Sequence, residues 1–288
     1  MQDSNLNGKL EYICGSKIKN MNPGELFSFF RKAPVSFKVH GPQGGISTIL
    51  TLPPSFNTDS DRCPVAILMH GFMAKKETHP IPAIAKALAE EGIASVSFDF
   101  DAHGKSEGKF VDMTISSETA DAQAVLDYVS SLPFATKTAF VGHSQGGVVA
   151  GMLAGSLEGK DNSPVALVQL APAAVLKDDA LAGRCMNARY DASNPPEYVN
   201  VMFHKLGRRF ILEAQKLPIF ETSCRYSGKV CLIHGSEDRI VPVSYSERYN
   251  SLYQDSTLHI VEGEGHFLNK HKQEIVGMVR DFLKEALL

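Results

Sequence analysis

No apolar run in this sequence approaches the length of a membrane span. The longest, such as Pro64–Met69 and Val165–Leu170, fall far short of the roughly 20 residues a helix needs to cross a bilayer. An excess of one charge is also missing. Lys+Arg number 29 and Asp+Glu 32, a formal net charge of -3. A basic footprint for nucleic acid is thereby excluded, as is an acidic solvating tail. Cysteines are few and odd in number: Cys14, Cys63, Cys185, Cys224 and Cys231, with no C-x-x-C pair. Neither a disulfide framework nor a zinc site fits that pattern. The N-terminus lacks a basic segment followed by an apolar one, so no signal peptide is expected and a cytoplasmic location is the default. Internal repeats and low-complexity segments are absent. What is present is ordinary globular material, 43% hydrophobic and 21% charged over 288 residues, enough to bury a substantial core.

Residues 1–33 are polar apart from an apolar patch at Leu26–Phe30. They read as an extension that docks through Phe27, Phe29 and Phe30. Residues 34–288 read as one domain. Val35–Val39 and Ile46–Leu52 flank a Gly-rich turn and predict an antiparallel hairpin. Beyond them, strands alternate with helices. Strands are expected at Pro64–His70, Ile93–Phe100, Lys137–Val141, Val165–Leu170, Lys229–His234 and Thr257–Val261. Helices are expected at Ile81–Glu91, Ser117–Leu132, Ser144–Leu157, Ser244–Leu252 and Gln273–Leu287. On the second helix, Ala120, Ala124, Leu126, Tyr128 and Val129 are expected to share a face. This rhythm predicts a mostly parallel central sheet flanked by helices. The long stretch between Leu170 and Lys229 breaks it, with one helical pattern near Leu206–Gln215. It reads as a lid inserted over about residues 173–222.

The strongest chemical signal is Gly142-His-Ser-Gln-Gly146, a G-x-S-x-G run. It follows an expected strand and opens an expected helix, the setting of a nucleophile elbow. Such a turn exposes Ser144 above the carboxyl ends of the strands, where sheets of this kind bind ligands. A serine hydroxyl needs a base, itself oriented by an acid. His266, in Gly263-Glu-Gly-His266-Phe267, lies on a loop after the last strand. His234 ends a strand and reads as a supporting residue. His70, His103 and His143 read as structural. The turn Gly235-Ser-Glu-Asp238 offers Glu237 and Asp238 as the acid. An oxyanion needs two backbone N–H groups, one just after the nucleophile and one from a loop after an early strand. Those are Gln145 and, in His70-Gly-Phe72, Phe72.

Rival chemistries lack their motifs. No phosphate-binding G-x-x-x-x-G-K-[ST], H-E-x-x-H or dinucleotide fingerprint exists, so neither metal nor nucleotide is expected. Asp99 to Gly108 is a polar strand-end loop whose carboxylates read as loop-shaping rather than metal-binding.

Taken together, His70-Gly-Phe, Phe98-Asp-Phe, Ser106-Glu-Gly, Gly142-His-Ser-Gln-Gly-Gly147, Leu170-Ala-Pro-Ala-Ala174, Leu232-Ile-His-Gly235 and Gly265-His266 resemble the cinnamoyl and feruloyl esterases of the α/β-hydrolase fold. The resemblance runs from about Pro64 to the C-terminus. It implies an α/β-hydrolase fold with a small inserted lid, no cofactor, and small-molecule esters of hydroxycinnamic acids as substrates, with no nucleic-acid or membrane partner. It selects Asp238 as the acid, with Glu237 as fallback. It matches Asp179 to a lid acid that meets the phenolic hydroxyl. Phe210 stands where some members carry a tyrosine, which removes a hydroxyl from that wall. Two other readings compete: a general short-chain esterase or monoacylglycerol-lipase-like hydrolase, and a non-catalytic binding protein on the same fold.

Overall fold

A computed structural model describes residues 34–288. The expected docking by Phe27, Phe29 and Phe30 lies outside the described residues, as does Cys14. Twelve strands and eight helices are present among the described residues. The main sheet has eight strands in the order β1-β2-β4-β3-β5-β6-β11-β12. β1 (Val35–Gly41) and β2 (Gly44–Thr51) form the expected hairpin, and β2 runs antiparallel to β4 (Ala94–Phe98). From there β3 (Cys63–Met69), β5 (Ala135–His143), β6 (Ala166–Leu170), β11 (Lys229–Gly235) and β12 (Ser256–Val261) continue in parallel.

The short apolar runs are strands because both of their faces are covered. Along β3, Val65, Ile67 and Met69 enter one core and Ala66 and Leu68 the other, the two-residue period of a strand. Helices α1 (Ile81–Glu90) and α8 (Lys272–Leu287) cover the second face through Ile84, Leu88, Ile275, Val279 and Leu283. The first face takes α2 (Ile115–Ser130), α3 (Gln145–Ser156) and α7 (Ser244–Leu252). Each fully buried leucine or isoleucine contributes roughly 1.5–3 kcal/mol.

α2 starts on a capping box, in which Thr114 and Ser117 exchange hydrogen bonds. Its inward face is turned from the expected one. Ala120, Ala124 and Tyr128 are only half-buried, while Ile115, Glu118, Asp121, Ala122 and Val125 are buried with Leu126 and Val129. Two carboxyls therefore sit on the stripe that points into the core.

Between β6 and β11 the chain forms α4 (Val175–Leu181), two ribbons, α5 (Arg208–Ala214) and α6 (Ile219–Ser223). The ribbons pair β7 (Arg184–Cys185) with β8 (Ala188–Arg189), and β9 (Tyr198–Val201) with β10 (His204–Gly207). α6 packs on α3, where a side chain on Gly155 would collide with the Thr222 carbonyl. No helix among the described residues is long and apolar enough to cross a membrane.

Candidate active site

Strand β5 passes into α3 with one residue between them, so that residue must reverse the chain alone. Ser144 does so at φ 55, ψ -119, a left-handed conformation that costs a non-glycine residue on the order of 1–3 kcal/mol. The turn closes because its flanks carry no Cβ. One on Gly142 would collide with the Gly146 carbonyl, and one on Gly146 with the His70 carbonyl. Ser144 N–H donates to the Leu170 carbonyl at 2.8 Å, which ties the elbow to the end of β6.

Two strand-end loops bring the other members to it. His266, after β12, has Nε2 2.8 Å from Ser144 Oγ. Its Nδ1 lies 2.7 Å from Asp238 Oδ2, after β11. The hydroxyl donates to Nε2 and the Nδ1–H donates to the carboxylate. Asp238 Oδ1 accepts the backbone N–H groups of Ile240 and Val241, each at 2.8 Å. Burial opposes the charge on Asp238, but hydrogen bonds from His234 and His266 and the adjacent backbone outweigh it and hold the carboxyl well below its ordinary range. Glu237 is exposed and pairs with Lys270 at 2.9 Å, so Asp238 is the carboxylate that meets His266. His234 is buried behind it, with Nε2 3.1 Å from Asp238 Oδ2 and Nδ1 2.7 Å from Ser246 Oγ.

Phe72 and Gln145 line one cavity together with Ser144. Among the described residues, neither backbone N–H has an acceptor. The Phe72 loop comes this close because Gly71 has no side chain; a Cβ there would lie 3.0 Å from Ser144 Cβ. The cavity has a volume of about 500 Å³. Phe72 and Phe210, with ring centroids 6.1 Å apart, share its wall with Leu176 and Tyr190. Asp179 lines it too, with Oδ1 accepting from Arg184 Nε at 2.7 Å. Phe210 presents a ring and no hydroxyl.

Three histidines that read as structural hold the site's loops through their rings. His70 Nε2 accepts the Phe100 N–H and its Nδ1 donates to the Gly71 carbonyl. His103 Nε2 accepts the Met73 N–H. His143 Nε2 donates to the His266 carbonyl at 2.9 Å. Burial, followed by the neighbouring His103, pushes His70 down to about 3, and burial together with His266 pushes His143 down to about 4. Both rings are neutral props. The Asp99 loop is pinned in the same way, its carboxylate accepting from Lys76 N–H at 2.8 Å, Lys76 Nζ at 2.5 Å and Lys105 N–H at 2.8 Å. Among the described residues, no group of three or more His, Cys, Asp or Glu is placed to hold a metal.

Two residues carry no sequence signal of their own. Glu118, inside the α2 stripe, accepts from Gln145 Nε2 at 2.8 Å. Glu264 collects the N–H groups of the loop that holds His266. Each reads in sequence as an ordinary polar residue.

Residues 66–277 match the model of the alpha/beta hydrolase family. No curated protein matches the chain. Among solved structures, Est1E from Butyrivibrio proteoclasticus with ferulic acid bound is 29% identical, with a TM-score of 0.79, covering 84% of this chain and 95% of that one. A second structure of Est1E gives 25% identity and a TM-score of 0.78, covering 87% and 98%. XC6422 from Xanthomonas campestris, described as an a/b serine hydrolase without lid, shares the fold at 23% identity and a TM-score of 0.61, covering 89% and 96%. The ferulic acid held by Est1E accords with the resemblance to cinnamoyl and feruloyl esterases.

Proposed function

The chain belongs to the alpha/beta hydrolase family, and from that premise we propose that it is a serine carboxylesterase that cleaves hydroxycinnamate esters through an acyl-enzyme. The observation that carries the reading is the unbroken relay Ser144–His266–Asp238, at 2.8 and 2.7 Å, opening on a cavity with aromatic walls. Ser144 Oγ attacks the ester carbonyl while His266 Nε2 takes its proton. Asp238 fixes the imidazole tautomer and stabilises the imidazolium. The N–H groups of Phe72 and Gln145 receive the negative oxygen, each contributing on the order of 3 kcal/mol in the transition state. His266 then protonates the departing alcohol. Water, activated by the same imidazole, attacks the acyl-enzyme; the acid leaves and Ser144 regains its proton.

The stretch 173–222 serves as the lid, and its cavity-lining residues lie between Ala173 and Phe210. The ring walls of Phe72 and Phe210 suit a planar aromatic acyl group. The ferulic acid bound to Est1E, at 29% identity, supports the same choice. A second reading, a general short-chain esterase, draws on Asp179 and Phe210. The first is already engaged by Arg184 and the second has no hydroxyl, so few groups remain to pair a phenol. Sites without such pairing discriminate weakly.

The test is the ratio of kcat/KM for methyl ferulate to that for methyl butyrate, with Ser144→Ala as control. A ratio well above one, lost with Ser144, upholds the hydroxycinnamate reading. A ratio below one, also lost with Ser144, moves the enzyme to the second reading. Activity that survives Ser144→Ala overturns the nucleophile assignment.

A further inference from the structure

Two-residue hairpin turns favour Asn, Asp and Gly, because their tip residues take positive φ. In the two ribbons between β6 and β11 a methionine takes the positive-φ place instead. β7–β8 turns at Met186-Asn187 and β9–β10 at Met202-Phe203. Met186 has φ 51 and Met202 φ 52, a region that disfavours side chains. Burial does not offset the strain, since Met186 is 47%, Met202 54% and Phe203 95% exposed. The Met202-Phe203 tip, strained and apolar, gains little burial from folding, which leaves contact with something outside the fold.

The tips form one patch. The Met202 N–H donates to Asn187 Oδ1 at 3.0 Å, and β8 lies beside β9. Met186 also lines the cavity in front of Ser144, so the patch is continuous with the mouth of the site. The surroundings are basic. From Gly183 to Arg209 the chain holds Arg184, Arg189, Lys205, Arg208 and Arg209 against Asp191 and Glu197. Arg184 is paired with Asp179, which leaves a local excess of two positive charges in a chain of net charge -3. Arg189 and Lys205 each lie two residues past a tip, and Arg208 and Arg209 follow at the foot of the second ribbon.

We propose that the two hairpin tips dock the protein on an anionic amphiphile surface, with the ester entering the cavity from that side. Met186, Met202 and Phe203 enter the acyl boundary while the basic residues meet anionic headgroups, the pairing that holds proteins in a lipid interface. This is attachment to a surface and needs no spanning helix.

The experiment is co-sedimentation of the full chain with phosphatidylglycerol vesicles and with phosphatidylcholine vesicles. Binding to the first and not the second is expected, with loss on raising salt to about 1 M, where the screening length falls to about 3 Å. Met202→Ser/Phe203→Ser should lower the bound fraction at least about tenfold, with circular dichroism and hydrolysis of a water-soluble ester unchanged. Lys205→Glu, which leaves the tips intact, should also weaken binding. Absence of binding to phosphatidylglycerol, or equal binding by parent and double variant, overturns the proposal. So does a concentration-dependent dimer that the double variant abolishes in the absence of vesicles, which would assign the patch to a second copy. Binding is read without turnover, so this result stands apart from the fate of the esterase reading.

Discussion

Gln145 Nε2 donates to Glu118 Oε2 at 2.8 Å, and so the nucleophile elbow is bolted to the buried stripe of α2. The same Gln145 presents the backbone N–H proposed to receive the oxyanion. Burial first, then repulsion from Asp101, Asp121 and Glu213, raises the Glu118 carboxyl well above its ordinary range. Glu118→Gln keeps the acceptor and the volume, and kcat is expected to stay close to the parent's. Glu118→Ala strands a buried amide, at a cost of about 1–3 kcal/mol. It should lower kcat while leaving KM nearly unchanged, since the misplaced donor acts on the transition state. Steady-state kinetics of both variants decide it. Equal losses in the two would show that the hydrogen bond has no part in placing the donor.

The carboxyls around Glu118 make stability depend on pH in a definite direction. Burial, with Asp101 as neighbour, pushes Asp121 up to about 7, and burial pushes Asp101 up to about 6. Groups whose folded pKa is raised stabilise fully below the unfolded value, near 4, and that stability is lost as pH rises through the folded value. The melting temperature should therefore fall between about pH 4 and pH 7. The share of Asp121 is on the order of 4 kcal/mol at about 1.4 kcal/mol per pKa unit. Asp121→Asn can still accept the Asp101 N–H, which now lies 2.7 Å from Oδ2. It should flatten the slope in a series of calorimetric melts across that range.

This cluster also marks where sequence reading stops. The parallel strands were legible because runs such as β3 and β6 are short and mostly apolar between turns, and apolar character is what two covered faces demand. The elbow was legible because glycines are needed wherever backbones approach as Gly142 and Gly146 do. Glu118 and Asp121 were not. A hydrophobic pattern passes over carboxyls, and their burial is decided by Gln145 and Asp101 arriving from distant segments. Short helices such as α4 and α6 span too few turns to show a period. The hairpin tips stayed hidden for the opposite reason, since Met186 and Met202 occupy positions where the turn code expects Gly or Asn.

Glu264 ties two of the site's loops together. Its side chain, nearly inaccessible, accepts the N–H groups of Gly265 at 2.8 Å, Asn269 at 3.1 Å, Lys270 at 2.9 Å and His271 at 2.7 Å. Its own carbonyl accepts the Glu237 N–H at 2.8 Å, beside Asp238. A carboxylate suits four donors because both oxygens accept. Glu264→Gln turns an NH2 toward two of those N–H groups. It should cost about 1–3 kcal/mol, read as a lower denaturant midpoint at constant slope. It should also broaden the His266 imidazole resonances, because the loop carrying His266 loses its anchor. Sharp, unshifted resonances would confine Glu264 to a general stabilising role.

Asp238 Oδ2 serves two rings, His266 Nδ1 at 2.7 Å and His234 Nε2 at 3.1 Å. Asp238→Asn places an amide opposite Nδ1, breaks the tautomer that leaves Nε2 free to accept the Ser144 proton, and should lower kcat by about 10⁴-fold. His234 acts one step further back. Its Nε2–H is shared between Asp238 Oδ2 and the Val241 carbonyl, at 3.0 Å, while Nδ1 is 2.7 Å from Ser246 Oγ. Removing that ring takes away one of the hydrogen bonds that hold Asp238 below its ordinary range, so the carboxyl should rise. A more basic Asp238 pulls harder on the His266 Nδ1–H and favours the imidazolium, so the acid limb of kcat/KM, which reports the free base, should move upward. His234→Gln should partly reverse this, because its side-chain amide can still donate to Asp238, whereas His234→Ala should not. A pH–rate profile of the two variants reads the shift directly. An acid limb that stays in place while melting temperature falls would leave His234 a packing residue alone.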